Sequence, residues 1–187
     1  WSVPFHGADG QVVGTVAIYP DSSNPPTGAQ MAVMESIARL ASVAVEHRRV
    51  DEELRLLQAA VENLNDIVLI TDAEPGPRIR FVNRAFERLT GWSRAEVIGR
   101  SPRFLQGPDT DLGALARVRA AMQAWQPVRE ELLNVRRDGS PIWLDMDITP
   151  VANEAGWFTH WVAVERDVTE RRALEEQLRE SQKMEAI

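Results

Sequence analysis

A seam of apolar residues stepping by alternating threes and fours runs through the first half of this chain, at Leu40, Val43, His47, Val50, Leu54, Leu57, Val61 and Leu64. Charged residues such as Glu46, Arg48, Arg49, Glu52 and Glu53 fill the positions between. No Gly or Pro interrupts residues 29–64, so the spacing predicts one long helix. A stripe this narrow, held for more than three heptads, is what a two-stranded parallel coiled coil requires. The competing reading is an amphipathic helix packed on its own domain. His47 alone breaks the apolar seam, either as a tolerated residue or as a pH-sensitive one.

Before the helix, Val12 to Tyr19 reads as the last strand of a hairpin behind the turn Ala8-Asp9-Gly10-Gln11, with a Pro/Ser/Asn-rich loop over 20–28. Two strands do not make an independent core, so this start reads as the tail of a domain.

After Leu64 the period changes. Strands are expected at Asp66–Asp72 and Arg78–Asn83, and a short helix at Ala85–Thr90 that Gly91 stops. A turn follows over Ser93–Gly99, then a helix over Thr110–Trp125 capped by Asp109 or Thr110. Strands at Glu130–Arg137, Pro141–Ile148 and Trp157–Arg166 close the unit, the first two joined at Asp138-Gly139. In the second, Ile142, Leu144, Met146 and Ile148 alternate with Trp143, Asp145 and Asp147, which predicts one buried and one wet face. This order gives an α+β domain, a five-stranded antiparallel sheet with helices on one face. Asp167 and Glu170 then have the spacing of a helix cap and its third-position partner. The exit helix over 169–187 carries Leu174, Leu178 and Ser181 at seam spacing.

Composition narrows the chemistry. The 187 residues carry a formal charge of −7, which argues against a nucleic-acid partner. There is no cysteine, so thiolate nucleophiles, thiolate–zinc sites and disulfides are excluded. No apolar run approaches the ~20 residues that span a bilayer, and the expected location is cytoplasmic. No phosphate-cradling glycine loop, HExxH metal site or nucleophile–base pair occurs. Glu130-Glu131 and Asp145/Asp147 are the best carboxylate candidates, and solvated charge explains them equally well. The expectation is no catalysis and no metal site in this chain.

Residues 65–168 resemble a PAS domain. The motifs are Phe81-Val82-Asn83-Arg84-Ala85-Phe86, Thr90-Gly91-Trp92-Ser93, Glu96-Val97-Ile98-Gly99 and the exit sequence Asp167-Val168-Thr169-Glu170-Arg171. Gly99-Arg100-Ser101-Pro102-Arg103-Phe104-Leu105-Gln106-Gly107-Pro108 is similar to the flavin signature G-R-N-C-R-F-L-Q-G-P of LOV photoreceptors. The resemblance implies an FMN-type pocket, with Arg103, Gln106 and Arg119 toward the phosphate and chain and Asn134 toward the ring. For Arg103 and Arg119 the plainer reading is solvated surface arginine. Pro102 stands where LOV domains carry the adduct-forming cysteine, so no cysteinyl adduct can form. Ser101 and Leu144 replace asparagines, and Glu165 replaces the glutamine that senses flavin protonation. These departures count against FMN and leave an apolar metabolite as the other candidate.

Residues 1–28 resemble the C-terminal part of a GAF domain. Leu178 to Ile187 is similar to the entry into the dimerisation helix of a bacterial sensor histidine kinase. The resemblances together imply a GAF–PAS–kinase relay, with 29–64 as a dimeric linker, Asp167 and Thr169 as the signal exit, and a response regulator downstream. A flavin or small-molecule sensor controlling a diguanylate cyclase is the alternative output.

Overall fold

The computed structural model describes residues 1–19 and 25–185, so part of the expected loop and the last two residues of the exit helix lie outside the described residues. The chain divides into two units, 1–59 and 60–187.

In the first unit, β1 (Ser2–His6) and β2 (Val12–Ala17) form an antiparallel hairpin. Gly14 faces Phe5 across it, and a Cβ there would meet the ring at 2.5 Å, so only glycine fits under the ring. Helix α1 (Gly28–Glu62) follows, with Met34 and Ala38 as its buried residues. It ends two residues before the expected limit, so Leu64 lies off the helix. Asn63 and Leu64 instead bond Ala60 and Val61 carbonyls in a closing turn.

The second unit takes over in the last turn of α1. Its strands are β3 (Ile67–Asp72), β4 (Ile79–Val82), β5 (Val128–Val135), β6 (Pro141–Ala152) and β7 (Phe158–Asp167). They form one antiparallel sheet in the order β4-β3-β7-β6-β5. Between β4 and β5 the chain runs through α2 (Arg84–Thr90), α3 (Arg94–Val97), a 3₁₀ turn (Pro102–Leu105) and α4 (Leu112–Gln123). The alternation expected for β6 holds: Ile142, Leu144 and Met146 are buried, and join Ile67, Leu69, Leu132 and Ala163 in the core under the helices.

Local chemistry sets the helix ends, and here several expectations are corrected. Helix α4 is capped by Asp111, whose Oδ1 accepts from the Gly113 and Ala114 amides, rather than by Asp109 or Thr110. The Thr110 hydroxyl instead bridges to the Leu133 carbonyl at 2.6 Å and accepts from the Gly107 amide. The expected turn over 93–99 contains α3, whose Glu96 carboxylate accepts from the Ser93 amide and hydroxyl. Strand β6 runs four residues beyond Ile148 because β7 remains paired with it to Phe158. Before the exit helix α5 (Thr169–Glu185), Asp167 accepts from the Thr169 amide two residues on, a tighter turn than the expected third-position cap.

Asn83 ties these parts together. It is fully buried, and its Oδ1 accepts from the Val68 amide of β3 at 3.0 Å and the Phe86 amide of α2 at 3.2 Å. Its Nδ2 donates to the Val61 carbonyl of α1 and the Asp66 carbonyl. One amide side chain thus caps α2, holds the start of β3 and receives the end of α1. Asn83→Ala would strand the Val68 and Phe86 amides and the Asp66 carbonyl, while the Val61 carbonyl keeps the Leu64 amide, and a loss of about 3 kcal/mol or more in urea unfolding is expected. A loss below about 1 kcal/mol would show that water replaces all four bonds.

Candidate functional site

A cavity of about 540 Å³ lies between the inner face of the sheet and the helical layer. That is within the ~300–1,000 Å³ usual for ligand pockets. Period-2 alternation supplies the floor: Leu69 and Thr71 from β3, Leu132 and Asn134 from β5, Met146 and Ile148 from β6, and Trp161, Ala163 and Glu165 from β7. Helix α4 supplies Leu115, Val118, Arg119 and Met122, one face at helical spacing. The 3₁₀ turn adds Pro102, Arg103 and Leu105, flanked by Ser101 and Gln106. An isolated bridge between Gln106 and Asn134 fixes that turn against the edge strand β5.

Of the six pocket residues expected from sequence, Arg103, Gln106, Arg119, Asn134 and Glu165 line this cavity. Leu144 does not: it is fully buried in the core, paired with Leu132 and Asp167, behind the lining. Arg103 and Arg119 are exposed on the cavity lining, and neither has an ion-pair partner among the described residues. Most other arginines of this unit are engaged, as in Arg117–Glu130, Arg129–Asp145 and Arg166–Asp66. The first two pairs also engage Glu130 and Asp145, two of the four carboxylates considered as catalytic candidates. Hydrogen bonding to Arg117 holds Glu130 below the usual carboxylate range, and Arg129 does the same for Asp145.

Sequence reasoning missed Trp125 and Thr71. Trp125 ends the α4 segment at φ 54°, a left-handed conformation that costs a bulky residue free energy. Its ring stacks on Phe158 at 4.9 Å and Trp161 at 5.3 Å, covering one end of the cavity. A bulge makes this possible: Val151 pairs with His160 and Ala152 with Phe158, leaving Thr159 as the extra residue that turns Phe158 toward Trp125. Nothing in the local sequence signals that bulge. Thr71 is buried, lines the cavity, and its hydroxyl has no partner among the described residues.

Glu165 is the most unusual group. It is 5% exposed, its strand neighbours are Ile67 and Met146, and its Oε2 has no hydrogen-bond partner among the described residues. Burial without a compensating charge pushes its pKa up to about 7.

The exit is also built from identifiable bonds. Val168 is buried and its amide donates to the Trp143 carbonyl, while the Thr169 hydroxyl accepts from the Trp143 amide at 2.9 Å. The ladder of β6 thus continues onto the first residues of α5 after β7 has ended. Arg172 lies over the Trp143 ring at 3.7 Å, and Arg171 pairs with Glu131 on the outer sheet face. At the entrance, the Glu62 carboxylate accepts from the Arg84 amide and pairs with Arg94, which also donates to the Val82 carbonyl.

The PAS fold profile matches residues 55–168, the segment that carries the cavity and the entrance and ends at Val168 of the exit. The chain belongs to the PAS family. A bacterioopsin transcriptional activator from Halobacterium salinarum is 38% identical over 130 residues, covering 69% of this chain and 19% of that protein. A blue-light-activated histidine kinase from Brucella anthropi is 39% identical over 129 residues, covering 68% of this chain and 26% of that protein. The chain therefore spans about a fifth to a quarter of these two relatives. The LOV domain of the Erythrobacter litoralis EL346 blue-light-activated histidine kinase superimposes with a TM-score of 0.53 at 35% identity, over 56% of this chain and 97% of that domain.

The chemistry of this PAS cavity can be tested against FMN. Arg103 and Arg119 would hold its phosphate, Gln106 and Asn134 are on the lining, and the walls are apolar. Glu165 fits ring carbonyls only as a neutral carboxyl, which can donate a hydrogen bond; ionised, it accepts only. With that proton the residues present fit the group. No thiol is available to bond it, since the chain has no cysteine. No helix among the described residues is long and apolar enough to cross a membrane, and no cluster of His, Cys, Asp and Glu among them could hold a metal ion.

The raised pKa of Glu165 makes stability depend on pH with a definite sign. The folded chain binds this proton more tightly than the unfolded one, so stability falls as pH rises from the ordinary carboxylate value through about 7. Between about pH 6 and pH 8 the loss is about 1 kcal/mol relative to Glu165→Gln, read as the difference between two urea titrations. Parallel behaviour of the two proteins would show that the carboxyl is solvated in the folded state.

Proposed function

We propose that this chain is the sensory and signal-relay segment of a bacterial two-component sensor histidine kinase. Its PAS cavity takes a small ligand, and the flanking helices carry the response between a GAF-type input before α1 and a kinase after α5. The single observation that carries this reading is that the residues entering and leaving the cavity-bearing sheet are bonded directly to it. Asn83 binds the end of α1 to β3, and Val168 and Thr169 bind the start of α5 to β6. Met146 on that same β6 lines the cavity, three residues from Trp143. A shift of β6 on ligand binding therefore reaches α5 through two hydrogen bonds, one backbone to backbone and one to the Thr169 hydroxyl. The relatives named above, a histidine kinase among them, support a signalling output.

Dimerisation through α1 is part of the proposal. Leu40, Val43, Val50, Leu54 and Leu57 are all exposed along one seam, with Leu40 at 70%. Apolar residues in such a row are covered when a second copy packs against them in parallel, and a coiled coil has a few discrete packings through which a small movement can switch. Leu54→Asp combined with Leu57→Asp is expected to convert a dimer to a monomer in sedimentation at micromolar concentration. An unchanged mass would place the dimer elsewhere, and a wild-type monomer would remove the coiled coil from the proposal.

The relay is tested at Thr169. Thr169→Val removes the acceptor for the Trp143 amide while keeping shape, so amide exchange in α5 should accelerate about tenfold, with the β3 core strand unchanged. Unaltered exchange in α5 would show that this bond does not couple helix and sheet.

A further inference from the structure

We propose that Arg100, between α3 and the 3₁₀ turn, and Arg78, just before β4, form a docking surface for an acidic segment of a partner protein. Neither residue lines the cavity, and the surface is independent of any ligand held there.

Unmatched positive charge is concentrated in one stretch of the chain. Residues 78–103 hold seven arginines and two glutamates, a net +5 in a chain whose total is −7. Both glutamates are engaged within the domain. Glu87 accepts from the Arg94 amide, and Glu96 accepts from Ser93 and pairs with Arg137. Of the seven arginines, Arg80 pairs with Asp72 and Arg94 with Glu62. Arg78, Arg84, Arg88, Arg100 and Arg103 are exposed, and none has an ion-pair partner among the described residues. On the sheet and the exit helix the opposite holds: Arg129, Arg166 and Arg171 each have a carboxylate.

Exposed arginines are ordinarily just solvated, and two features set Arg100 apart. Its guanidinium lies over the Phe104 ring at 4.3 Å and the Trp92 ring at 5.2 Å, and those rings meet edge to face. A guanidinium laid on aromatic faces is already oriented, so its fork loses less freedom when it takes a carboxylate. Arg78 is held beside it as well. The Arg78 Nη1 donates to the Gly99 carbonyl, and the Ile79 amide donates to the carbonyl of Arg100. Two free guanidinium groups are thus fixed on neighbouring backbone, while Arg84 and Arg88, four residues apart on α2, add charge of the same sign.

Carboxylates suit this surface better than nucleic acid does. Single-stranded nucleic acid stacks its bases on free aromatic faces. Here Arg100 and Arg137 lie over Trp92, and Arg100 lies over Phe104. The total charge of −7 also repels a long polyanion, whereas a short acidic segment meets chiefly the local field.

A short fluorescein-labelled oligoglutamate serves as the probe, its binding to the full chain followed by anisotropy. Binding is expected at about 20 mM NaCl and is expected to weaken strongly by about 200 mM, as screening shortens the reach of the charges. Arg100→Gln is expected to weaken it about tenfold at the lower salt, with folding checked by circular dichroism. Arg78→Gln, which leaves both rings covered, is expected to act in the same direction. Arg179→Gln, the same charge change on α5, is expected to stay within about twofold of wild type. Equal losses in Arg100→Gln and Arg179→Gln would reveal attraction to scattered charge and overturn the surface. Absence of binding by the wild-type chain at the lower salt overturns it too. Tighter binding of a single-stranded oligonucleotide of equal charge would overturn the acidic segment as the partner.

Discussion

Four hydrogen bonds to one buried amide organise this protein. Asn83 must accept twice and donate twice, and it finds its partners on β3, α2, the end of α1 and the segment between them. A buried side chain with all four of its bonds made fixes direction as well as position, because each lost bond would leave a polar group dry. The last turn of α1 is therefore tied by hydrogen bonds to the start of the PAS sheet. Glu62 reinforces this tie by receiving the Arg84 amide and Arg94.

At the exit, which shares its end of the sheet with the entrance, the logic is different. Strand β7 stops while β6 continues, and the backbone of Trp143 would be unpaired if Val168 and Thr169 did not complete its ladder. The exit motif is thus the last rung of the sheet as well as the first turn of a helix. Its surroundings are charged and exposed, with Arg171 and Arg172 reaching Glu131 across the outer face. Bonds of that kind contribute little each and can be exchanged at low cost, which suits a movable element.

The polar groups of the cavity are unevenly satisfied. Carboxylates outside it, such as Glu130 and Asp145, have arginine partners that keep them ionised. Inside it, Glu165 and Thr71 have unpartnered oxygens. Buried polar atoms without partners cost stability, so a fold that retains two on one floor has room for something that would pair them. The strained backbone at Trp125 lies at the same cavity, offset by stacking on two rings.

Much of this was legible in the residues. Period-3.5 spacing gave α1, period-2 spacing gave the inner face of β6, Asp138-Gly139 gave its hairpin, and the run from Gly99 to Pro108 pointed to the cavity wall. Those signals are local, because backbone geometry repeats every two or 3.6 residues and the sequence shows it directly. Strand and helix ends were less legible: β6 extends to Ala152 because β7 lies beside it, and Asp111 rather than Asp109 meets the free amides of α4. What only tertiary structure decided are the meetings between distant residues. Leu144 faces inward as its alternation requires, yet neighbouring packing leaves it behind the lining. Phe158 reaches Trp125 through one bulged residue. Glu165 was singled out through the resemblance, where it replaces a glutamine, but that its Oε2 lacks a partner depends on Ile67, some hundred residues away, being the neighbour across the sheet. The sequence by itself determines which face a side chain takes; only the assembled sheet determines what waits for it there.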